Sequence, residues 1–256
     1  MFLGAGGPRS PTSPPLSEFP PSRTTPPEPG APPAKGLLCS RSVSPIIVTV
    51  DGPGGTGKST VSRVVAHKAG LPHLDTGAFY RAATLAVLRA GVHPSEPHSV
   101  LEVVAGSDMG QEDGRMYLDG EDVSTEIRGE DVTAAVSAVS AHPEVRKLLV
   151  EMQRGWVGKH DGGVVEGRDI GSVVFPDASV KVFLNASPEI RASRRALETG
   201  ESYDEVLADL NRRDLLDSTR EASPLSIPDD AVVVDTSELT FDEVVDQVLG
   251  LIQAKS

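Results

Sequence analysis

The chain has 256 residues, of which 38% are hydrophobic and 24% charged, a composition typical of a globular protein with a buried core. Its formal net charge of -13 argues against a nucleic-acid polymer or an anionic membrane as the main partner, because both attract basic surfaces. No apolar run approaches the roughly 18 to 20 residues of a membrane span, and the N-terminus lacks the apolar core of a secretory signal. The single cysteine, Cys39, cannot form an internal disulfide, which fits a reducing compartment. The lack of a signal and of a membrane span, together with this cysteine, predicts a cytoplasmic protein.

Residues 1–44 are dominated by proline, serine and glycine. Such a segment cannot bury enough apolar surface to offset the entropy lost on ordering, so we expect a disordered tail at 1–44 and a folded domain at 45–256. Two interpretations of the tail remain open: a proline-rich ligand for an aromatic groove, or an inert extension from a mispredicted start codon.

Strand and helix signals alternate after the tail. Short runs rich in β-branched residues predict strands at 46–51, 163–166, 180–185 and 231–235, and the segment 71–75 is expected to be short and extended. Apolar residues at helical spacing predict helices at 58–69, 76–90, 133–156, 188–199, 203–214 and 241–252. Strands that alternate with helices imply a parallel sheet covered on both faces, so we expect a three-layer α/β fold. The irregular region 92–131 is interpreted as an insertion, and turn residues around the short apolar run at 114–123 predict a hairpin.

A glycine-rich segment follows the first predicted strand. Its sequence, Gly52-Pro-Gly-Gly-Thr-Gly-Lys58-Ser59, matches the phosphate-loop pattern G-x-x-x-x-G-K-[ST] and precedes a predicted helix. Glycines let the backbone fold tightly around phosphates, and the N–H groups at the helix start receive the phosphate oxygens. Lys58 is expected to bind the β and γ phosphates, and the Ser59 hydroxyl to coordinate magnesium. The residues expected to bind the donor nucleotide are therefore Gly52, Pro53, Gly54, Gly55, Thr56, Gly57, Lys58, Ser59 and Thr60.

An acidic residue ends another predicted strand. Glu166 follows Val164 and Val165. An acidic residue at the end of a hydrophobic strand is typical of the Walker B motif of phosphate-loop proteins, so we expect Glu166 to hold magnesium through water. A solvated surface carboxylate is the alternative. Because the chain has no Asn-Lys-x-Asp motif for guanine, a GTPase is not expected.

Three further segments contain groups that bind phosphate or ribose. They are Asp75-Thr-Gly-Ala-Phe-Tyr-Arg81, Glu166-Gly-Arg-Asp-Ile-Gly-Ser-Val-Val-Phe-Pro176 and Arg212-Arg-Asp-Leu-Leu-Asp-Ser-Thr-Arg220. Together with the phosphate loop, these segments resemble the bacterial cytidylate kinases, and the likeness runs from about residue 46 to residue 252. The resemblance implies a monomeric P-loop kinase that transfers the γ-phosphoryl group of ATP to CMP or dCMP. It also implies an enlarged monophosphate-binding insertion at about 92–131 and a short lid at about 198–213.

The resemblance implies a role for each group of polar residues. The acceptor phosphate is expected to bind Arg81, Arg168 and Arg220, of which Arg168 and Arg220 join Lys58 as catalytic residues. Arginine forks match phosphate oxygens two at a time, which agrees with this assignment. Cytosine is expected to contact Thr76, Ser137, Arg146 and Asp169. The ribose is expected to contact Tyr80, Arg213 and Asp217. The helix at 188–199 begins the lid over ATP, and of its arginines we assign Arg194 to ATP.

Several alternatives stay open at this stage. A kinase for another small acceptor, such as shikimate or a different monophosphate, would share the phosphate loop. A regulatory module recruited through the tail would bind ATP without phosphorylating a monophosphate. For single residues, Ser137 could pack within its helix, Arg194 could lie on a solvated helix face, and Asp169 could orient Arg168 instead of reading the base.

Overall fold

The computed structural model describes residues 45–219 and 223–255 of the chain. The predicted tail and Arg220 lie outside the described residues. Within them, no helix combines the length and the apolar character needed to cross a membrane.

A parallel sheet with helices on both faces forms the folded domain. In chain order the strands of the described residues are β1 (Ile46–Asp51), β2 (His73–Asp75), β3 (Met109–Glu112), β4 (Arg115–Leu118), β5 (Glu121–Asp122), β6 (Gly162–Glu166), β7 (Val180–Asn185) and β8 (Val232–Asp235). The central sheet has five strands in the order β2-β6-β1-β7-β8, and every neighbouring pair is parallel. The three-layer α/β fold expected from the sequence is therefore confirmed.

The helices of the described residues divide between the two faces of this sheet. They are α1 (Lys58–Ala69), α2 (Thr76–Arg89), α3 (Pro97–Gly106), α4 (Glu130–Ser140), α5 (Pro143–Lys159), α6 (Pro188–Thr199), α7 (Tyr203–Thr219) and α8 (Phe241–Gln253). On β6, Val164 packs in one core with α1 and α8, while its neighbour Val165 packs in the other core with α2 and α5. Successive strand residues point to opposite faces, so this apolar run is buried on both sides. Helices α6 and α7 pack on each other through a smaller cluster of Ala192, Val206 and Leu210.

The region between α2 and α4 is more regular than the sequence suggests. The predicted hairpin is present, but it is an antiparallel sheet of three strands, β3-β4-β5, joined by two Asp-Gly turns. In both turns, Asp113-Gly114 and Asp119-Gly120, the two residues have positive φ, as two-residue hairpin turns require. Helix α3 was not predicted, although Pro97 at its first turn is a recognised start signal.

One predicted helix is wrong. The single helix expected at 133–156 consists of two helices, α4 and α5, separated by Ala141 and His142. Pro143 has no N–H to donate and disfavours helical backbone at the residue before it, so the first helix stops and a second begins. The predicted helix at 203–214 continues to Thr219. A π-helical turn at Ile170–Val174 follows β6 and was also not predicted.

Candidate active site

The carboxyl ends of the parallel strands bring the predicted site segments to one edge of the sheet. The phosphate loop follows β1, Thr76 follows β2, and Arg168 and Asp169 lie in the connection that follows β6. Because β1 lies between β6 and β7, the phosphate loop occupies the point where the strand order reverses. Ligands bind at such points in open α/β sheets.

The phosphate loop depends on glycine where the backbone passes close to other residues. A Cβ at Gly52, which has φ 143°, would lie 2.1 Å from the carbonyl O of Leu184. Gly57 precedes α1 with φ 84° and makes no side-chain cap bond, so the first N–H groups of α1 are available for an anion. Lys58 Nζ donates to the carbonyl O of Pro53 at 2.7 Å, which holds its charge within the loop.

Lys58 lies among other charged groups. Burial lowers the pKa of Lys58 to about 8, and the nearby Arg168 lowers it further, while Glu166, Asp51 and Asp217 oppose the change. Burial also lowers the pKa of Arg213, again with Arg168 as the next cause. These cations repel one another, so a bound anion would stabilise the cluster.

Arg81 extends this set of cations on the acceptor side. Burial lowers the pKa of Arg81 to about 10, with Arg213 as the second cause and Arg128 as the third. Its Nη1 donates to the carbonyl O of Ile127 at 3.1 Å and to Thr133 Oγ1 at 2.9 Å. The guanidinium is thus held by α4 and by the turn that precedes it, near the like charges of Arg213 and Arg128, which outweigh the opposing charge of Asp75.

Glu166 ends β6 as a buried carboxylate with unused bonding capacity. Its Oε2 accepts from Ser62 Oγ at 2.9 Å, and Oε1 lies 3.7 Å from His73 Nε2 with no hydrogen-bond partner among the described residues. Burial raises the pKa of Glu166 to about 7, the charge of Asp75 raises it further, and the Ser59 hydroxyl is among the groups that lower it. A buried carboxylate oxygen without a partner, next to the Ser59 hydroxyl, is the type of oxygen pair that magnesium uses. The residues present therefore fit this metal.

Asp169 and Arg146 form a buried ion pair between the connection after β6 and helix α5. Arg146 Nη2 contacts Asp169 Oδ2, and both side chains are almost fully buried. The Arg146 guanidinium also lies over the Tyr80 ring, 5.2 Å from its centroid. Among the described residues, the ion pairs of Arg168 are with Asp217 at 2.5 Å and Asp214 at 3.8 Å, and orientation of Arg168 by Asp169 stays a prediction.

The remaining predicted residues lie around this centre. Thr76 Oγ1 donates to the carbonyl O of Glu166 at 2.7 Å, which ties the start of α2 to the end of β6. Ser137 is half-buried on α4. Arg213 Nη1 lies 3.9 Å from Asp209 Oδ2 on α7. Arg194 donates to Thr236 Oγ1 at 3.0 Å and to its carbonyl O at 2.6 Å, beyond the end of β8.

The sequence of this chain is similar to those of known proteins. Residues 48–254 match the family model described as cytidylate kinase. This chain belongs to the cytidylate kinase family. A cytidylate kinase of Mycobacterium leprae (strain Br4923) is 52% identical over 219 residues, which cover 84% of this chain and 98% of the relative. A cytidylate kinase of Nocardia farcinica (strain IFM 10152) is 54% identical over 216 residues, covering 80% of this chain and 92% of the relative. The resemblance expected from the sequence is confirmed.

Within this cytidylate kinase fold, sequence reasoning missed the role of one buried arginine. Arg191 on α6 is 3% exposed, and Arg191 Nη1 donates to the carbonyl O of Gly54 at 3.0 Å. Its Nη2 lies 2.7 Å from Asp214 Oδ2 on α7. Arg191 therefore connects the phosphate loop to the helix that carries Arg213 and Asp217. The sequence signal was the three arginines of α6, but it could not show which of them is buried.

Removing this connection is expected to destabilise the fold. Arg191→Met should lower the free energy of unfolding by about 3 kcal/mol, because the Asp214 carboxylate and the Gly54 carbonyl lose their charged donor. Urea unfolding at neutral pH measures this. The matched control is Arg195→Met on the same helix, whose exposed pair with Glu198 at 3.5 Å should contribute less than about 1 kcal/mol. Equal losses in the two variants would contradict a special role for Arg191.

Proposed function

We propose that this chain transfers the γ-phosphoryl group of ATP to CMP or dCMP and releases ADP with CDP or dCDP. The single observation that carries this conclusion is the presence of a complete phosphate loop beside the buried Arg146–Asp169 pair, in a chain whose family is cytidylate kinase. The phosphate loop suits a nucleoside triphosphate donor. A buried carboxylate suits the exocyclic amino group of cytosine, which is a hydrogen-bond donor.

The donor side of the site uses the loop and its lysine. Backbone N–H groups of Gly54–Ser59, within the expected donor segment Gly52–Thr60, would hold the ATP phosphates, and Lys58 would place its charge on the β and γ phosphates. Ser59 directly, and Glu166 through water, would hold magnesium, which would supply positive charge to neutralise these phosphates. Arg194, next to Thr236 at the end of β8, would contact the nucleotide on the lid side.

The acceptor side uses arginines for the phosphate and polar groups for the nucleoside. Arg81, Arg168 and Arg220 would bind the CMP phosphate, and the mutual repulsion of the described cations supports an anion there. The cytosine would contact Thr76, Ser137, Arg146 and Asp169. The ribose would contact Tyr80, Arg213 and Asp217.

In the reaction, an oxygen of the CMP phosphate attacks the γ-phosphorus of ATP and the bond to the ADP oxygen breaks. Lys58 and Arg168 lie close enough to influence each other electrostatically, which supports the proposal that both charges act on the transferred group. Catalysis then consists of positioning and of neutralising charge as two anions approach, without a covalent enzyme intermediate.

The proposed function also implies which segments move during the reaction and where the protein acts. Residues 92–131 would form the monophosphate-binding insertion and residues 198–213 the lid, which closes to exclude water and prevent hydrolysis of ATP. We expect a cytoplasmic monomer whose partners are ATP, CMP and dCMP, with neither a nucleic-acid polymer nor a membrane as partner. The net charge of -13 supports the last point.

An acceptor panel tests the proposed function. Purified protein is incubated with ATP and magnesium plus CMP, dCMP, UMP, AMP or shikimate, and the products are separated by anion-exchange chromatography. We expect CDP and dCDP, with a specificity constant for UMP lower by at least about 100-fold, because a site that accepts a hydrogen bond rejects an analogue that cannot donate it. A preference for shikimate or AMP would assign another acceptor. ATP binding without any phosphorylated product would instead favour the regulatory module.

A further inference from the structure

Asp51 is a buried acid for which the roles above give no use. It ends β1 immediately before the phosphate loop and is 2% exposed. Its two oxygens are both occupied by backbone groups of the turn at Ile170–Val174. Oδ1 accepts from the N–H of Ile170 at 2.8 Å, and Oδ2 accepts from the N–H of Gly171 at 2.7 Å.

The N–H groups at the start of a helical turn have no hydrogen-bond partner within the turn, and these two bonds provide partners for those of Ile170 and Gly171. An acid at the N-cap position usually accepts from the N–H groups that follow it. Here the N-cap residue is Asp169, with φ -140° and ψ 25°, and its side chain makes no cap bond. The Asp169 carboxylate contacts Arg146 instead. The turn is therefore capped by an acid 119 residues earlier in the chain, as the bond from the N–H of Ile170 shows.

The arrangement assigns Asp51 a part in acceptor recognition. We propose that Asp51 is a positioning residue: by capping the turn at Ile170–Val174 from β1, it keeps the Asp169 carboxylate in place to pair with Arg146 and to accept from the cytosine amino group. This inference rests on the proposed function for the nature of the acceptor. On this proposal Asp51, which lies next to the phosphate loop, helps to determine which base the acceptor site binds.

The packing around the turn supports a fixed geometry. A Cβ at Gly171 would lie 2.8 Å from Thr49 Oγ1 and 3.3 Å from Asp51 Oδ2, so the turn lies directly against β1. Burial raises the pKa of Asp51 to about 6, and the bonds from Gly171 and Ile170 oppose this rise. Asp51 is then mostly ionised at pH 7.5, the form in which both oxygens accept.

The variant Asp51→Asn tests the proposal. Its amide oxygen can still accept one N–H, but its NH2 group faces the other, so the turn loses one cap bond. The N–H that loses its cap then competes with Arg146 for the Asp169 carboxylate. We expect the KM for CMP to rise about 10-fold and the ratio of specificity constants for CMP and UMP to fall by a similar factor, because a 10-fold change corresponds to about 1.4 kcal/mol, within the range of one net hydrogen bond.

The ratio is the decisive measurement because both acceptors use the same donor site. Any effect of Asp51 on Lys58 changes the two specificity constants alike and cancels in their ratio. The matched control is Thr49→Val, two residues earlier on β1: it keeps the size of a side chain that packs on the same turn, removes only a hydroxyl without a hydrogen-bond partner among the described residues, and should keep the wild-type ratio. If Asp51 acts through Asp169, the double variant Asp51→Asn/Asp169→Asn should have the ratio of Asp169→Asn alone.

Three outcomes would overturn the proposal: an unchanged ratio in Asp51→Asn, the same change of ratio in Thr49→Val, or independent effects that multiply in the double variant. If circular dichroism shows that Asp51→Asn does not fold, Asp51→Ser, whose side chain is one bond too short to keep both cap bonds, gives the same comparison. Failure of the proposed function is distinguishable, because the wild-type protein itself would then show no preference for CMP.

Discussion

Lys58→Ala is expected to lower kcat by about 1000-fold or more while the melting temperature stays within about 2 °C of the wild type. The lysine serves the transferred phosphates, so its removal leaves the developing charge unneutralised. Its contribution to folding is expected to be small, because burial makes its charge costly, Nζ donates one hydrogen bond of 2.7 Å to a loop carbonyl, and it forms no ion pair among the described residues. Initial rates with saturating CMP and ATP, together with a thermal melt, measure both effects.

Lys68→Ala is the matched control for Lys58→Ala. Lys68 lies on the same helix, α1, and its exposed Nζ is 3.9 Å from Asp246 Oδ1. We expect its kcat to equal that of the wild type. A Lys58→Ala enzyme that keeps more than about a tenth of the wild-type kcat would remove Lys58 from the proposed mechanism, because a preorganised charge contributes more than that.

Replacing Asp169 is expected to change both stability and base preference. Asp169→Ala leaves the Arg146 charge buried without this partner, which should lower the free energy of unfolding by about 3 to 5 kcal/mol. The specificity constant for CMP should fall by about 100-fold or more, while that for UMP changes much less, because uracil presents a carbonyl where cytosine presents an amino group. The specificity constants for both acceptors, measured below the melting temperature of the variant, test this.

Asp169→Asn separates the two effects. The amide keeps the shape of the side chain and offers an NH2 donor to the uracil carbonyl, so the UMP constant should rise relative to the CMP constant. Asp177→Asn is the control for the loss of one negative charge, since Asp177 is exposed eight residues further along the chain. An Asp169→Asn enzyme with the wild-type ratio for CMP and UMP would show that Asp169 does not read the base.

The parts of the fold that local sequence determines were predicted well. The phosphate loop has a fixed pattern between a β-branched strand and an amphipathic helix, and the structure places β1 and α1 on either side of it. The break between α4 and α5 was available in the sequence, because Pro143 is incompatible with a continuous helix. It was missed because the apolar spacing continues on both sides of the proline. The helical periodicity of the apolar residues therefore predicted one continuous helix in spite of Pro143.

The contacts that depend on distant residues could not be predicted in this way. Neither the bonds from Ile170 and Gly171 to Asp51 nor the pair of Arg191 with Asp214 has a local sequence signal, because their partners come together only when the sheet forms. The sequence also assigned Arg194 to ATP without showing that Thr236 holds its guanidinium. Residue types indicated the chemistry of the cleft, whereas the pairing of its charges required the structure.

The contact between α6 and the phosphate loop limits how far this loop is an independent module. A Cβ at Gly55, which has φ 79°, would lie 3.0 Å from Arg191 Cβ, and the Gly54 carbonyl is bonded to the same arginine. A loop transplanted from an unrelated nucleotide-binding protein would therefore need glycine at the position of Gly55 even if its own phosphate contacts tolerated a side chain there. Conversely, this loop placed in a foreign scaffold would leave the Gly54 carbonyl without its charged donor. Because of this contact, the loop and α6 should be exchanged between enzymes together.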